Sequence, residues 1–306
     1  MNNCLCCGKA LNSNETEWHQ SCIKKFFGTD KLPSIDLSNI ASLFLKSKGK
    51  ESVITGVQKK VSLHLYKERD SSRLTVIGYP SGYILKPQSD DFEQLPENEW
   101  LTMHLANICN IDTVPFGLLR LEDNSIAYIT KRIDRKGKNK IAMEDFCQLG
   151  GTPTENKYKS SYEKVGKILS TYTDNIGLDY YKLFNIILFS FIVGNSDMHL
   201  KNFSLIKKNK NYILSPAYDL LNTLIITEDD EELALSIDGK KSNLNKKNFK
   251  YLAQLYSLNE IQIDRIFNNF GKKHDLILET INDSFLNEYM KMEYIKIIEN
   301  RYSRLF

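Results

Sequence analysis

Gly194-Asn195-Ser196-Asp197-Met198-His199-Leu200-Lys201-Asn202-Phe203, followed by Pro216-Ala217-Tyr218-Asp219-Leu220, is the stretch on which the reading of this chain turns. It gathers an Asp, an Asn five positions on and a second Asp into one polar island. The run before it, Leu183 to Val193, is almost wholly apolar and reads as a buried helix, and polarity returns abruptly at Gly194-Asn195. Loops that leave rigid core elements commonly carry catalytic groups. These residue types suit phosphoryl transfer, where a protein orients an attacking hydroxyl and holds magnesium against phosphates while doing little covalent work itself. Asp197 is placed to accept the hydroxyl's hydrogen bond, and Asn202 and Asp219 offer the few hard oxygen ligands that magnesium takes from protein. Asn, Ser and Asp also cap and turn chains without any chemistry. The second Asp, after the strand-like Tyr212-Ile213-Leu214, tips the reading toward catalysis.

The frame is an ordinary globular chain of 306 residues with 42% hydrophobic and 26% charged content. That is long enough for one two-lobed domain or two small ones. A formal net charge of +3 is too small to argue direct nucleic-acid binding, and Lys207-Lys208-Asn209-Lys210 reads as a solvated turn. The longest apolar stretch is shorter than the roughly 18 residues a membrane helix needs, and the first residues have neither a basic region nor an apolar secretion core. The expectation is a soluble, cytoplasmic protein with no membrane partner.

Six cysteines do not resemble a disulfide framework, and four of them fall within the first 22 residues. With His19, the spacings Cys4-x-x-Cys7 and His19-x-x-Cys22 supply four ligands in two knuckles, which suits a tetrahedral structural Zn2+. Free thiols in turns are the plainer alternative, and Cys6 offers a competing sulfur. Cys109 and Cys147 lie in helical patterns and read as core residues.

The middle of the chain reads as a small strand-rich lobe. Ser52 to Lys60 is a turn entering the alternating strand Val61-Ser62-Leu63-His64-Leu65-Tyr66, and it offers backbone N–H groups and Lys60 to phosphates, or is simply a hairpin turn. Gly82 to Pro87 is a strand carrying Lys86, where a kinase places the ammonium that meets ATP. Glu97-Asn98-Glu99-Trp100 opens an amphipathic helix, where Glu99 either braces Lys86 or complements the helix dipole from the first turn. Strands Val114 to Leu121 and Ile126 to Ile133 complete the lobe, with Lys131 to Ile133 as the expected adenine-docking hinge.

Taken in order, these motifs resemble the HipA family of bacterial toxin kinases: Gly-Val-Gln-x-Lys at 56 to 60, Ile-Leu-Lys-Pro at 84 to 87, Glu-Asn-Glu at 97 to 99, Lys-Arg-Ile-Asp-Arg at 131 to 135, Glu-Asp-Phe-Cys-Gln at 144 to 148, the island at 194 to 203, and Ala-Tyr-Asp-Leu at 217 to 220. The resemblance implies an α+β, two-lobed protein-kinase-like fold with a small β-rich N-lobe and an α-helical C-lobe. It implies Mg-ATP as cofactor and serine phosphorylation of an aminoacyl-tRNA synthetase, of tryptophanyl or glutamyl type, that stalls translation. By the same resemblance Asp197 is the catalytic base with His199 supporting its loop, Asn202 and Asp219 bind Mg2+, and Lys86 contacts ATP. Thr55, Gly56, Val57, Gln58 and Lys60 form the phosphate loop, and Glu99, Lys131 and Ile133 complete the nucleotide site.

The chain moves from its cysteine segment almost directly into that loop, which resembles the compact HipT-like toxin of tripartite HipBST systems. A HipS-like small antitoxin and a HipB-like helix-turn-helix DNA-binding protein are then the implied partners. The family phosphorylates itself just before the loop glycine, where this chain has Val53-Ile54-Thr55, so Thr55 and Ser52 are the candidate acceptors. Domain bounds of 1–50, 51–135 and 136–306 follow for the cysteine segment with its linker helix, the N-lobe and the C-lobe. Helical spacing covers Ser161 to Tyr172, Tyr180 to Val193, Lys247 to Tyr256, Leu258 to Phe270 and Phe285 to Phe306. Glu228-Asp229-Asp230-Glu231-Glu232 reads as a solvated turn. A small-molecule or lipid kinase, and an inactive antitoxin-docking module, are the competing function classes.

Overall fold

The computed structural model describes residues 3–36, 60–69, 71–76, 81–227 and 231–306. Ser52, Thr55, Gly56, Val57 and Gln58 lie outside the described residues, as do positions 228–230 of the acidic run. The chain forms two compact units, Met1–Trp100 with Val114–Lys140, and Leu101–Thr113 with Ile141–Phe306. These bounds differ from those drawn on the sequence: the cysteine segment is part of the first unit, and a stretch from the middle of the chain belongs to the second.

The first unit is built on a six-stranded sheet of β1 (Ser34–Asp36), β2 (Val61–Lys67), β3 (Ser72–Thr75), β4 (Tyr83–Pro87), β5 (Phe116–Arg120) and β6 (Ile126–Lys131). Its spatial order is β1-β3-β2-β4-β6-β5, antiparallel throughout except for the β1–β3 pair. Val61 and Leu63 are buried while Ser62 faces water, the period-two pattern of a sheet with one covered face. Helix α1 (Gln20–Phe27) ends at Gly28, in the left-handed region, and sets Phe26 and Phe27 against Trp18 and Tyr83 with ring centroids 5.3 to 5.7 Å apart. A two-residue ladder of β7 (Arg135–Lys136) and β8 (Asn139–Lys140) closes the unit.

Helix α2 (Leu95–Ile108) contributes its first residues to the sheet unit and its last to the helical unit. The helical unit holds α3 (Phe146–Leu149), α4 (Tyr162–Tyr172), α5 (Ile176–Ile192), α6 (Lys246–Leu255), α7 (Glu260–Gly271), α8 (His274–Asn282) and α9 (Glu288–Leu305). It also holds a small sheet of β9 (Met143–Asp145), β10 (Ser204–Lys208) and β11 (Asn211–Leu214), ordered β11-β10-β9. From Leu183 onward helix α5 is apolar around its circumference through Leu183, Phe184, Ile186, Leu188 and Phe189, all buried, as a helix at the centre of a core must be. Side chains of Ser161, Asn245, Asn259 and Asn287 accept backbone N–H groups at four helix starts, each worth about 1 kcal/mol. No helix among the described residues is long and apolar enough to cross a membrane.

One expectation is corrected here. Glu231 pairs with Lys241 at 2.8 Å, but Glu232 is not in a solvated turn. Its carboxylate is buried against Arg301 and Arg304 and accepts the Leu244 N–H at 3.0 Å, while both guanidinium groups lie over the Phe191 ring at 4.8 and 5.3 Å. A run of acids marks a solvated turn only when no cations return to it, and these return some seventy positions later.

Candidate active site

The polar island is the continuation of α5. Gly194 follows the helix at φ +70, and a Cβ built there would stand 2.9 Å from Asn222 Oδ1, so both the turn and the contact call for glycine. Thr223 then stitches the loop down: its Oγ1 accepts the Ser196 N–H at 2.7 Å and reaches the Gly194 carbonyl at 3.1 Å. The Asp197 N–H donates to Asn195 Oδ1 at 3.1 Å. The Asp197 carbonyl accepts both the His199 N–H and Asn202 Nδ2, each at 2.8 Å. With that amide nitrogen engaged, Oδ1 is the atom of the Asn202 side chain that can serve a cation.

Around this frame the side chains divide by burial. The Asp197 side chain is 38% exposed and accepts a hydrogen bond from Tyr158 Oη, with His199 Nε2 3.8 Å away. His199 is buried, its ring edge-on to Tyr158 at 4.8 Å between centroids. Burial lowers the His199 pKa below its ordinary value, and Lys157 adds to this, although the Asp197 and Asp219 carboxylates pull the other way. Both carboxylates thus act on one imidazole. Asp219 itself sits at φ +54, a left-handed conformation that aspartate tolerates better than most residues and that its surroundings hold here. They do so from both sides: the Ala217 N–H bonds the Asp112 carbonyl at 2.7 Å, and Tyr218 Oη lies 2.5 Å from Ser204 Oγ and 3.1 Å from the Lys201 carbonyl. One amide oxygen and one carboxylate, both hard donors on a fixed backbone, fit magnesium and are too few and too hard for a structural zinc.

In the sheet unit, the Lys86 ammonium and the Glu99 carboxylate meet at 2.5 Å with side chains 4% and 1% exposed, and the ammonium lies 5.3 Å from the Tyr128 ring centroid. Glu99 stands on the second turn of α2, and the acidic residue of the first turn is Glu97, so the helix-dipole explanation for Glu99 falls away. Lys131 departs from expectation. It ends β6 opposite Tyr83, its Nζ donates to the Phe26 carbonyl at 3.0 Å, and the unit runs on to Lys140, so Lys131 and Ile133 do not stand at a boundary between units. Lys60 lies exposed at the entry to β2. The Glu-Asp-Phe-Cys-Gln motif has a structural account, since Asp145 and Gln148 form a capping box at the start of α3. Tyr158 and Thr223 escaped the sequence reading. Nothing marks Tyr158, whereas Thr223, close behind Asp219, is the kind of hydroxyl residue that fastens turns.

The model of the HipA-like C-terminal domain family matches residues 52–281, a span that includes Lys86, Glu99, the polar island and Asp219. The chain belongs to the HipA family. Among curated relatives, a Sinorhizobium fredii protein named provisionally as a kinase is 31% identical over 226 residues, which are 68% of this chain and 54% of that protein. The serine/threonine-protein kinase toxin HipA of Shewanella oneidensis is 26% identical over 216 residues, 61% of this chain and 47% of the toxin. The chain thus spans about half the length of these curated relatives. The structure of Shewanella oneidensis HipA, solved with HipB and operator DNA, superposes with a TM-score of 0.71 over 90% of this chain and 72% of that one, at 19% identity. The fold is accordingly the two-lobed, kinase-like fold of HipA, with a β-rich and an α-helical lobe.

Proposed function

We propose that this chain is a HipA-like kinase that moves the γ-phosphoryl group of Mg-ATP onto a serine or threonine hydroxyl of a protein. The observation that carries the reading is the Asp197 carboxylate, partly exposed on a loop where Asn195, Ser196, His199 and Asn202 are buried. Magnesium and ATP, when bound, supply the phosphoryl group and neutralise the charge on its oxygens. Asn202 Oδ1 and the Asp219 carboxylate would hold the metal, and the buried Lys86, paired with Glu99, would meet the phosphates. Tyr158 fixes the rotation of the Asp197 carboxylate. Asp197 then takes the substrate's hydroxyl proton as that oxygen bonds to phosphorus and the bond to the bridging oxygen of the departing ADP breaks.

The narrower reading is a toxin of compact HipT-like type that blocks translation by modifying an aminoacyl-tRNA synthetase, of tryptophanyl or glutamyl type, and that modifies itself at Thr55 or Ser52. It is supported by the toxin relative and by the ordered motifs. A HipB-like DNA-binding partner is supported by the company that the Shewanella HipA keeps in its structure, and a HipS-like antitoxin by the HipT-like resemblance. The test is intact-mass measurement of phosphate transfer to purified synthetases, using chain free of prior phosphate, with Mg-ATP or with magnesium omitted. Asp197→Asn should lower transfer by about 10²- to 10⁴-fold. Equal transfer by the variant, or magnesium-independent transfer, would remove the loop from the chemistry.

A further inference from the structure

We propose that Cys4, Cys7, His19 and Cys22 form a structural Zn2+ site that fastens the N-terminal segment over the edge of the six-stranded sheet. The four ligand atoms all lie within 4.8 Å of one another. Tetrahedral zinc with its usual bond lengths places neighbouring sulfurs about 3.8 Å apart and sulfur and nitrogen about 3.6 Å apart. Cys7 Sγ and Cys22 Sγ stand 3.3 and 3.8 Å from His19 Nδ1. All six cysteines are free, so no disulfide competes for these sulfurs.

Local structure shapes the two halves as knuckles. In the first, Cys4 to Gly8 closes on itself through the Gly8 N–H on the Cys4 carbonyl and the Cys4 N–H on the Lys9 carbonyl, both at 2.8 Å, with Gly8 at φ +74 supplying the turn. In the second, His19 caps α1 and Cys22 lies in its first turn, a three-residue spacing that puts both side chains on one side of the helix start. The His19 N–H also donates to Cys4 Sγ at 3.3 Å, a bond that favours thiolate.

The imidazole carries the more specific signal. His19 Nε2 lies 2.9 Å from the Ala10 carbonyl, an oxygen that only accepts, so the proton is on Nε2 and the Nδ1 lone pair is aimed among the three sulfurs. A ligating histidine is ordinarily held in this way, by a carbonyl or carboxylate on its far nitrogen. The Glu15 carboxylate, 3.9 Å from the same Nε2, is a further support. Cys6 neighbours Cys22 but is outside the group of four, and its Sγ is directed at the Phe116 carbonyl at 3.9 Å.

The metal has a structural task. Residues 9 to 17 are polar apart from Ala10 and Leu11 and cannot build a core, while the flanking Leu5 and Trp18 lie against β5, the last strand of the sheet. The Leu118 N–H bonds the Leu5 carbonyl, and the Leu118 carbonyl receives Trp18 Nε1, each at 2.9 Å. Gly117 leaves room for the Trp18 ring, which a Cβ would meet at 2.5 Å. A bound ion would fasten the two knuckles and the polar loop between them, beside the aromatic cluster of Trp18, Phe26 and Phe27.

The test is elemental analysis and cobalt spectroscopy on the full chain, with a readout that does not involve catalysis. Wild type purified with zinc should retain about one ion per chain after gel filtration. Cobalt exchanged into it should show the strong visible bands of tetrahedral geometry and thiolate charge transfer. Cys7→Ser and Cys22→Ser should lower metal affinity by about tenfold or more, while Cys6→Ser and Cys147→Ser retain it. Should the ligand variants fail to fold, a chelator added to wild type must release the ion and lower the unfolding temperature. Folded wild type, with six titratable thiols, that takes up neither zinc nor cobalt would overturn the proposal, as would Cys6→Ser losing metal as fully as Cys22→Ser.

Discussion

His199 shows how a single side chain can make the polar island sensitive to acid. Burial lowers its pKa from the ordinary 6.5, so the unfolded chain binds a proton at a pH where the folded chain does not. Stability therefore falls as pH drops below about 6.5, and the loss continues until the folded imidazole also protonates. His199→Gln should flatten the pH dependence of the urea midpoint between about pH 7 and pH 5.5, and an unchanged slope would assign it to another group. Tyr158 makes a different test, since it touches Asp197 without contributing to the core. Tyr158→Phe should lower phosphoryl transfer about tenfold while leaving the urea midpoint within about 0.5 kcal/mol of wild type. Asp197, Asn202 and Asp219 were legible because their spacing is local. Tyr158 was not, because it reaches Asp197 from 39 positions away and belongs to no pattern.

At the scale of elements, the turn out of α5 is the joint on which the island depends. Gly194→Ala would put a side chain into the left-handed region and against Asn222, which should destabilise the chain by about 1–3 kcal/mol in urea unfolding. A loss under about 0.5 kcal/mol would mean that the loop relaxes freely. Helices with a clear apolar stripe were legible from periodicity, although α5 begins at Ile176, four residues before the expected Tyr180. The expected helices omitted α8, whose stripe is thin, with Ile277 and Ile281 its wholly buried apolar residues. They also omitted α3, a single turn defined by its cap rather than by any repeat.

Across the whole molecule, the parts that the sequence concealed are those joined over long distances. Glu232 ties Arg301 and Arg304 of α9 to the segment around Leu244. Burial alone would raise its pKa, but the Arg304 bonds, the Leu244 N–H and the two guanidinium charges outweigh that and lower it. The stabilisation is thus complete above the ordinary 4.5 and fades as pH falls through the lower folded value. Glu232→Ala, which leaves two guanidinium groups facing each other, should cost about 3–5 kcal/mol in urea unfolding at neutral pH, and a cost below about 1 kcal/mol would show that the arginines find water instead. The two units were equally hard to read, because each is assembled from separate stretches of chain. That discontinuity has a temporal side. The bond from Trp18 to Leu118 spans 100 positions, so a ribosome has long finished the first knuckle before the strand that receives it exists. Such distant pairings close slowly. The nascent Trp18 must therefore wait until β5 is synthesised, and any truncation before Phe116 would leave its indole N–H without that carbonyl.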